Sequence, residues 1–418
     1  MARRTVSALI ATVCLALAAP VASASAEEPN VAEPSFAAPN VAVKDAASRR
    51  AEALKAVTGA GAVAAIAQVR DEDGVWRAGT GVADLATGAP VRTDGRFRAG
   101  SITKMFTSTT VLQLVGEERI GLDDPIERYL PGVVPNGEYI TVRQLLNHSS
   151  GLWDPTNEKG GVFPDLADPA VLRNWLDQGG MTRTITPAQV VAASVAHAPN
   201  FPPGERFAYS NVNYTLLGMI IERVTGRSYA QEISARILRP VGMNGTYFPG
   251  TATDIRGPHA HGYLTLVEGP GPEDRSDRDV TVASVSWANS AGELISTLDD
   301  LNRFEKALLG GRLLSEKLMR EMTTTIPVKV NGQPTGLDYG LGLARLQLSC
   351  GPVYGHDGSV SGYSSQLWSS GGRQVAMSVT PRGDQKQGFA QLIAQGGFLE
   401  EAFCGTQGGG GHAQLKLG

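Results

Sequence analysis

Strand-like sequence lies toward both ends of this 418-residue chain, and helix-like sequence lies between them. Small apolar residues from Ala62 to Val69, the turn-like Asp71-Glu72-Asp73-Gly74 and the stretch Val75 to Leu85 predict a β-hairpin after an N-terminal helix that starts near Ala46. Toward the other end, residues 345–349, 352–356, 364–368 and 374–380 read as successive strands of an antiparallel meander with glycine-bearing turns, and residues 388–403 as a last helix. Between these ends, residues 101–115 are helical by spacing, residues 141–248 read mostly as helix, the Gly/Pro/Asp-rich residues 249–279 read as exposed loops, and residues 299–309 as a helix. Such an order predicts one mixed sheet assembled from the two ends of the chain, with a helical lobe inserted.

The flanks are of a different kind. Met1-Ala2-Arg3-Arg4, an apolar run from Val6 to Ala22 and the tripeptide Ala24-Ser25-Ala26 read as a secretory signal peptide, with cleavage expected after Ala26. Residues 27–43, rich in Ala, Pro, Asn and Glu, read as a flexible linker, residues 44–404 as the folded domain, and the glycine-rich residues 405–418 as a flexible tail. Removing the leader takes Arg3 and Arg4 and no acid, so the net charge moves from −4 to −6 on an exported chain with no further membrane segment. With 42% hydrophobic residues, 19% charged residues and no lysine-rich run, the chain is a folding one and not a nucleic-acid binder. Cys14 leaves with the leader; Cys350 and Cys404 then stand as a disulfide pair or as two buried thiols. Neither the pair nor His259 and His261 forms a metal-ligand motif, and no cofactor is expected.

Three constellations can carry chemistry. Of nine lysines, Lys104 is the only one with a serine three residues before it, Ser101-Ile102-Thr103-Lys104. On a helix these side chains share a face, and a buried lysine near a helix N-terminus can serve a serine alcohol as base. Gly100 before it lets substrate approach the backbone. The second is Tyr209-Ser210-Asn211, in a loop ahead of a helix, where a phenol can relay a proton and an amide can hold a peptide-like group. The third is Tyr354-Gly355-His356-Asp357-Gly358-Ser359. There His356 can act as electrostatic or proton-transfer partner, and the amide of Ser359, with that of Ser101, can face an oxyanion. Taken singly, each also fits a structural role: a capped surface helix, a packed tyrosine with an asparagine cap, a buried histidine.

Taken together, in the order SxxK, YxN, HxG, they resemble the penicillin-recognising serine hydrolases, in the branch of class C β-lactamases, soluble secreted D-alanyl-D-alanine carboxypeptidases and related esterases. The likeness runs from about Lys44 to Cys404 and includes residues 97–104, Leu122-Asp123-Asp124-Pro125, the run from Leu145 to Leu152, Pro203-Gly204, Tyr339-Gly340-Leu341-Gly342 and Gly355-His356-Asp357-Gly358. It implies an α+β fold of the serine β-lactamase/DD-peptidase kind, with a central antiparallel β-sheet flanked by helices and an inserted all-helical lobe. It implies Ser101 as nucleophile, Lys104 beside it and Tyr209 as proton shuttle, a coupled unit in which the base is not assigned. Asn211 would hold the substrate amide, His356 would take the place of the third motif's basic residue, and the backbone amides of Ser101 and Ser359 would form the oxyanion hole.

The histidine at position 356 resembles the carboxypeptidases and esterases more than the β-lactamases. Asp357 departs from the carboxypeptidase pattern, which has a hydroxyl there to help receive a terminal carboxylate; Arg345 is the candidate cation for that carboxylate. The expected function is a secreted monomeric D-alanyl-D-alanine carboxypeptidase acting on peptidoglycan stem peptides and acylated by β-lactams. An esterase or D-amino-acid peptidase of the same fold is the alternative, then a class C-like β-lactamase, then a non-enzymatic β-lactam or cell-wall binder.

Overall fold

The computed structural model describes residues 39–156, 160–269, 271, 274–330 and 332–405, with the side chains of 39–44 excepted. The expected signal peptide, most of the linker and all but the first residue of the tail lie outside the described residues. Helix α1 (Pro39–Gly59) begins inside the segment read as linker. The correction has a simple cause: after Pro39, a residue suited to the first turn, the sequence has no breaker before Gly59.

Strands β1 (Ala64–Asp71) and β2 (Gly74–Gly81) form the expected hairpin, closed by a two-residue turn at Glu72-Asp73. After β3 (Phe97–Arg98) comes α2 (Thr103–Gly116). The helical lobe follows: α3 (Val142–Leu146), α4 (Pro169–Asp177), α5 (Pro187–Val195), α6 (Asn211–Thr225), α7 (Tyr229–Ile233) and α8 (Arg239–Val241). Residues 249–279 are not loops throughout, because β4 (Tyr263–Val267) pairs with β5 (Arg275–Asp279) in a separate two-stranded ribbon. Its glycines and prolines lie between and before the strands, and they masked the alternation of Tyr263-Leu264-Thr265-Leu266-Val267.

Helix α9 (Asn289–Gly292), strand β6 (Ile295–Ser296), α10 (Leu298–Leu309) and α11 (Glu316–Thr323) lead into six consecutive strands. These are β7 (Ile326–Val330), β8 (Gln333–Tyr339), β9 (Ala344–Leu348), β10 (Gly351–Val360), β11 (Tyr363–Ser370) and β12 (Arg373–Thr380), before α12 (Gln385–Cys404). Strands β7 and β8 extend the expected meander of four strands by two.

The main sheet runs β2-β1-β12-β11-β10-β9-β8-β7, and every pairing in it is antiparallel rather than mixed. The two ends of the chain meet where Ala64 to Arg70 register against Thr380 to Gln374. Alternation then sorts the faces. Ala65, Ala67 and Val69 share a buried cluster with Leu54 and Val57 of α1 and Phe398, Leu399 and Ala402 of α12. Ile66, Leu367 and Ala376 belong to the larger cluster that includes the helical lobe. Helices α2 and α6 are buried on almost every side, which makes them central posts rather than surface helices. Cys350 and Cys404 form a disulfide with Cα atoms 5.4 Å apart, joining the β9–β10 turn to the end of α12.

Candidate active site

The two central helices present their first residues to the same place. At the start of α2, Gly100 takes a left-handed φ of +53° in a 3₁₀ turn that runs into the helix. A side chain there would come within 2.8 Å of the backbone nitrogen of Ser359, and one at Gly358 within 2.1 Å of the carbonyl oxygen of Ala99. The glycines thus allow β10 to lie directly on the turn that carries Ser101. One helical turn on, the fully buried Lys104 places Nζ 3.0 Å from Ser101 Oγ. The same amine donates to Asn211 Oδ1 at 2.7 Å and to the carbonyl of Ala291 at 2.9 Å. It also lies 4.8 Å from the Tyr209 ring centre and 5.4 Å from that of Tyr214.

The Pro/Gly-rich approach to α6 is tied down by backbone bonds from Gly204 to Ser149 and from Ala208 to His148, which sets Tyr209 just before the helix. Its hydroxyl lies 2.7 Å from Ser101 Oγ. Asn211, at the first position of α6, turns its amide inward, with Nδ2 donating to Thr156 Oγ1 at 2.9 Å and to Asp154 Oδ2 at 3.4 Å. It links Lys104 to the protein interior.

The third constellation lies on β10, whose pairing with β9 ends at Gly355. Past that point the strand approaches Gly100, which brings the Ser359 amide beside the Ser101 turn. His356 is fully buried. Its Nδ1 lies 2.5 Å from the carbonyl of Asp357, which can only accept, and its Nε2 lies 2.8 Å from the Tyr339 hydroxyl. Asp357 keeps Oδ1 3.4 Å from the same Nδ1. Arg345 is not brought to Ser101 as a free cation. It pairs with Asp338 on β8 at 3.0 Å and donates to Gln347, because the β8–β9 register sets Asp338 directly opposite.

His148, within the run from Leu145 to Leu152, has no role that its sequence pattern assigns. His148 is fully buried at φ +58°, and its ring lies 4.3 Å from Tyr209, 5.0 Å from Tyr339 and 5.3 Å from Tyr214. Nδ1 accepts from the backbone N–H of Ser210 at 3.3 Å and faces the Asn213 amide at 3.0 Å, so the neutral ring holds its proton on Nε2. Burial, then the nearby Lys104 and His356, push its pKa well below the ordinary histidine value. Asp154 and Thr156 were also missed; the Asp-x-Thr spacing, which lets a hydroxyl turn back onto the carboxylate, was the available signal. Burial raises the Asp154 carboxyl above its usual range.

A serine hydroxyl with an amine and a phenol both at hydrogen-bonding distance, beside the backbone amide of a closely packed strand, is equipped for acyl transfer. A family model described as Beta-lactamase matches residues 49–396. The D-stereospecific amidohydrolase from Streptomyces sp. is 38% identical with a TM-score of 0.74, over 86% of this chain and 99% of that one. The D-amino acid amidase from Ochrobactrum anthropi SV3, complexed with D-phenylalanine, is 26% identical with a TM-score of 0.74, over 87% and 99%. Penicillin-binding protein 4* of Bacillus subtilis (strain 168) is 30% identical over 69% of this chain, which spans only 60% of that relative's length. Motifs, fold and likeness agree: the chain belongs to the Beta-lactamase family, the penicillin-recognising serine hydrolases.

Proposed function

We propose that the protein is a secreted D-stereospecific serine hydrolase that cleaves amide or peptide bonds of D-amino-acid substrates through an acyl-enzyme on Ser101. The observation that carries this is the pair of contacts on Ser101 Oγ, 2.7 Å to Tyr209 and 3.0 Å to Lys104. In the first half-reaction Oγ attacks the carbonyl carbon while its proton passes to the Tyr209–Lys104 unit. The oxyanion is held by the amides of Ser101 and Ser359, and the proton leaves with the departing amine as the C–N bond breaks. Water, giving its proton to the same unit, then cleaves the ester and restores the Ser101 hydroxyl.

The preference for D-amino-acid substrates is supported by the amidohydrolase and amidase likenesses, and the charges near β10 favour an amide over a substrate that ends in a carboxylate. A carboxypeptidase acting on a terminal D-alanine must receive a carboxylate. Here Arg345 is engaged by Asp338, and Asp357 adds a negative charge next to His356. An amide or ester substrate meets no such repulsion. The D-alanyl-D-alanine carboxypeptidase reading, with β-lactams as acylating agents, is the second one, supported by the likeness to penicillin-binding protein 4*.

The test compares D- and L-phenylalanine amide, a diacetyl-Lys-D-Ala-D-Ala peptide and benzylpenicillin, with Ser101→Ala as control. The expected result is Ser101-dependent cleavage of the D-amide at least roughly tenfold faster than the L-amide. Release of D-alanine without amide cleavage establishes the carboxypeptidase instead, and rapid penicillin turnover a β-lactamase. N-terminal sequencing of the exported protein checks cleavage after Ala26.

A further inference from the structure

The polar chain behind Lys104 has a direction. Thr156 Oγ1 lies 2.8 Å from Asp154 Oδ1, an acceptor in its carboxylate form, so the hydroxyl donates its one proton there. With that proton placed, the same oxygen can only accept from Asn211 Nδ2 at 2.9 Å. The amide of Asn211 is thereby oriented by chemistry, with nitrogen toward Thr156 and oxygen toward Lys104. Lys104 must give one N–H to that oxygen and a second to the Ala291 carbonyl, itself only an acceptor. The same amine also reaches Ser101 Oγ at 3.0 Å.

We propose that Asp154 and Thr156 are positioning residues for the reaction, orienting the Asn211 amide so that the Lys104 amine is aimed at Ser101. This rests on reading Ser101 as nucleophile and Lys104 as its partner. Asp154 and Thr156 act through Asn211 on the amine's geometry, and Asp154 also acts through its charge. The titratable groups around the chain are Lys104 from α2, His148 after α3, Tyr209 and Tyr214 at α6, Tyr339 on β8, and His356 and Asp357 on β10. None of them is substituted in the variants below.

The probe is a small activated ester, p-nitrophenyl acetate, hydrolysed across pH by the wild type, Asp154→Asn, Thr156→Val, Thr156→Ser and Ser101→Ala. Asp154→Asn removes a buried negative charge, which favours loss of a proton from the Lys104–Tyr209 unit. The acid limb of kcat/KM is expected to move down by about one pH unit, since nearby charges shift a pKa by this order. Its plateau is expected to fall roughly tenfold or more through misplacement of the amine. Thr156→Val keeps the charge and loses the relay: the plateau falls while the limb stays, and Thr156→Ser restores it. An unmoved limb in a folded Asp154→Asn variant, or a wild-type plateau in Thr156→Val, overturns the proposal. If Asp154→Asn does not fold, the Thr156 pair decides. Absence of any Ser101-dependent hydrolysis in the wild type overturns the underlying reading as well, whereas Ser101-dependent hydrolysis with unaffected variants overturns only this one.

Discussion

Ser101 and Lys104 could be paired from sequence because three residues on a helix bring side chains onto one face, a property of the local chain. Gly100 had a local reason too, close approach to the backbone, but the object approached is Ser359, more than 250 positions away. A prediction follows at this residue. Gly100→Ala must hold a non-glycine at φ +53° and push the Ser359 nitrogen from 2.8 Å. Removal of one oxyanion donor lowers kcat by about a hundredfold to a thousandfold, so kcat for the D-amide is expected to fall by up to that order. Steady-state kinetics on the folded variant check it, and wild-type kcat would contradict the role given to the Ser359 amide. His148 was not legible, and Asp154 and Thr156 carried only their Asp-x-Thr spacing, because a buried polar residue declares itself mainly through its partners. A histidine in a loop sequence does not reveal that three tyrosine rings will surround it.

At the scale of elements, two central helices and one strand share the work. Helices α2 and α6 bring Ser101, Lys104 and Asn211 together because their first turns converge, and β10 adds a backbone edge where β9 stops. Strand alternation made β9 to β12 readable, whereas β7 and β8 carry Pro327, Pro334 and Gly336, and these disguised them. The last helix is fastened to the sheet by Phe398, fully buried with its ring 6.0 Å from that of Trp76, and by the disulfide. The 54-residue separation between Cys350 and Cys404 corresponds to about 4 kcal/mol in the loop-entropy account. Replacing both cysteines by serine is therefore expected to lower the unfolding free energy by that order, read from urea unfolding. An unchanged midpoint would show that the bridge adds nothing to the folded state. Phe398→Ala is expected to lose about 3–5 kcal/mol in the same measurement.

At the scale of the whole molecule, the pH dependence of stability is set by groups that folding buries. Glu305, in α10, is fully buried, and among the described residues neither carboxyl oxygen has a hydrogen-bond partner. Burial alone raises its pKa well above 4.5. A carboxyl raised by folding gives stability that is complete below the unfolded-chain value and is lost as pH rises toward the folded one, at up to about 1.4 kcal/mol per unit. Glu293, raised to about 7 mainly by burial, works in the same sense. His148, lowered by burial, works in the opposite one, so stability falls below its ordinary value of 6.5. Glu305→Gln is expected to flatten the alkaline side: between pH 5 and pH 8 its melting temperature should drop less than that of the wild type. Parallel curves would mean that Glu305 does not titrate as placed.

The meander strands, the helical lobe and the candidate serine, lysine, tyrosine and asparagine were legible in the sequence, through alternation, helical spacing and ordered motifs that act over short stretches of chain, while the wholly antiparallel sheet was implied by the family resemblance and not by periodicity. Which strand lies beside which was decided by the tertiary structure. That choice gave Arg345 to Asp338, set β10 against Gly100 and closed a one-way hydrogen-bond chain from Lys104 to Asp154. The physical reason is range: propensity and periodicity are properties of neighbours along the chain, while the direction of a buried hydrogen bond and the charge of a buried group depend on what folding places next to them.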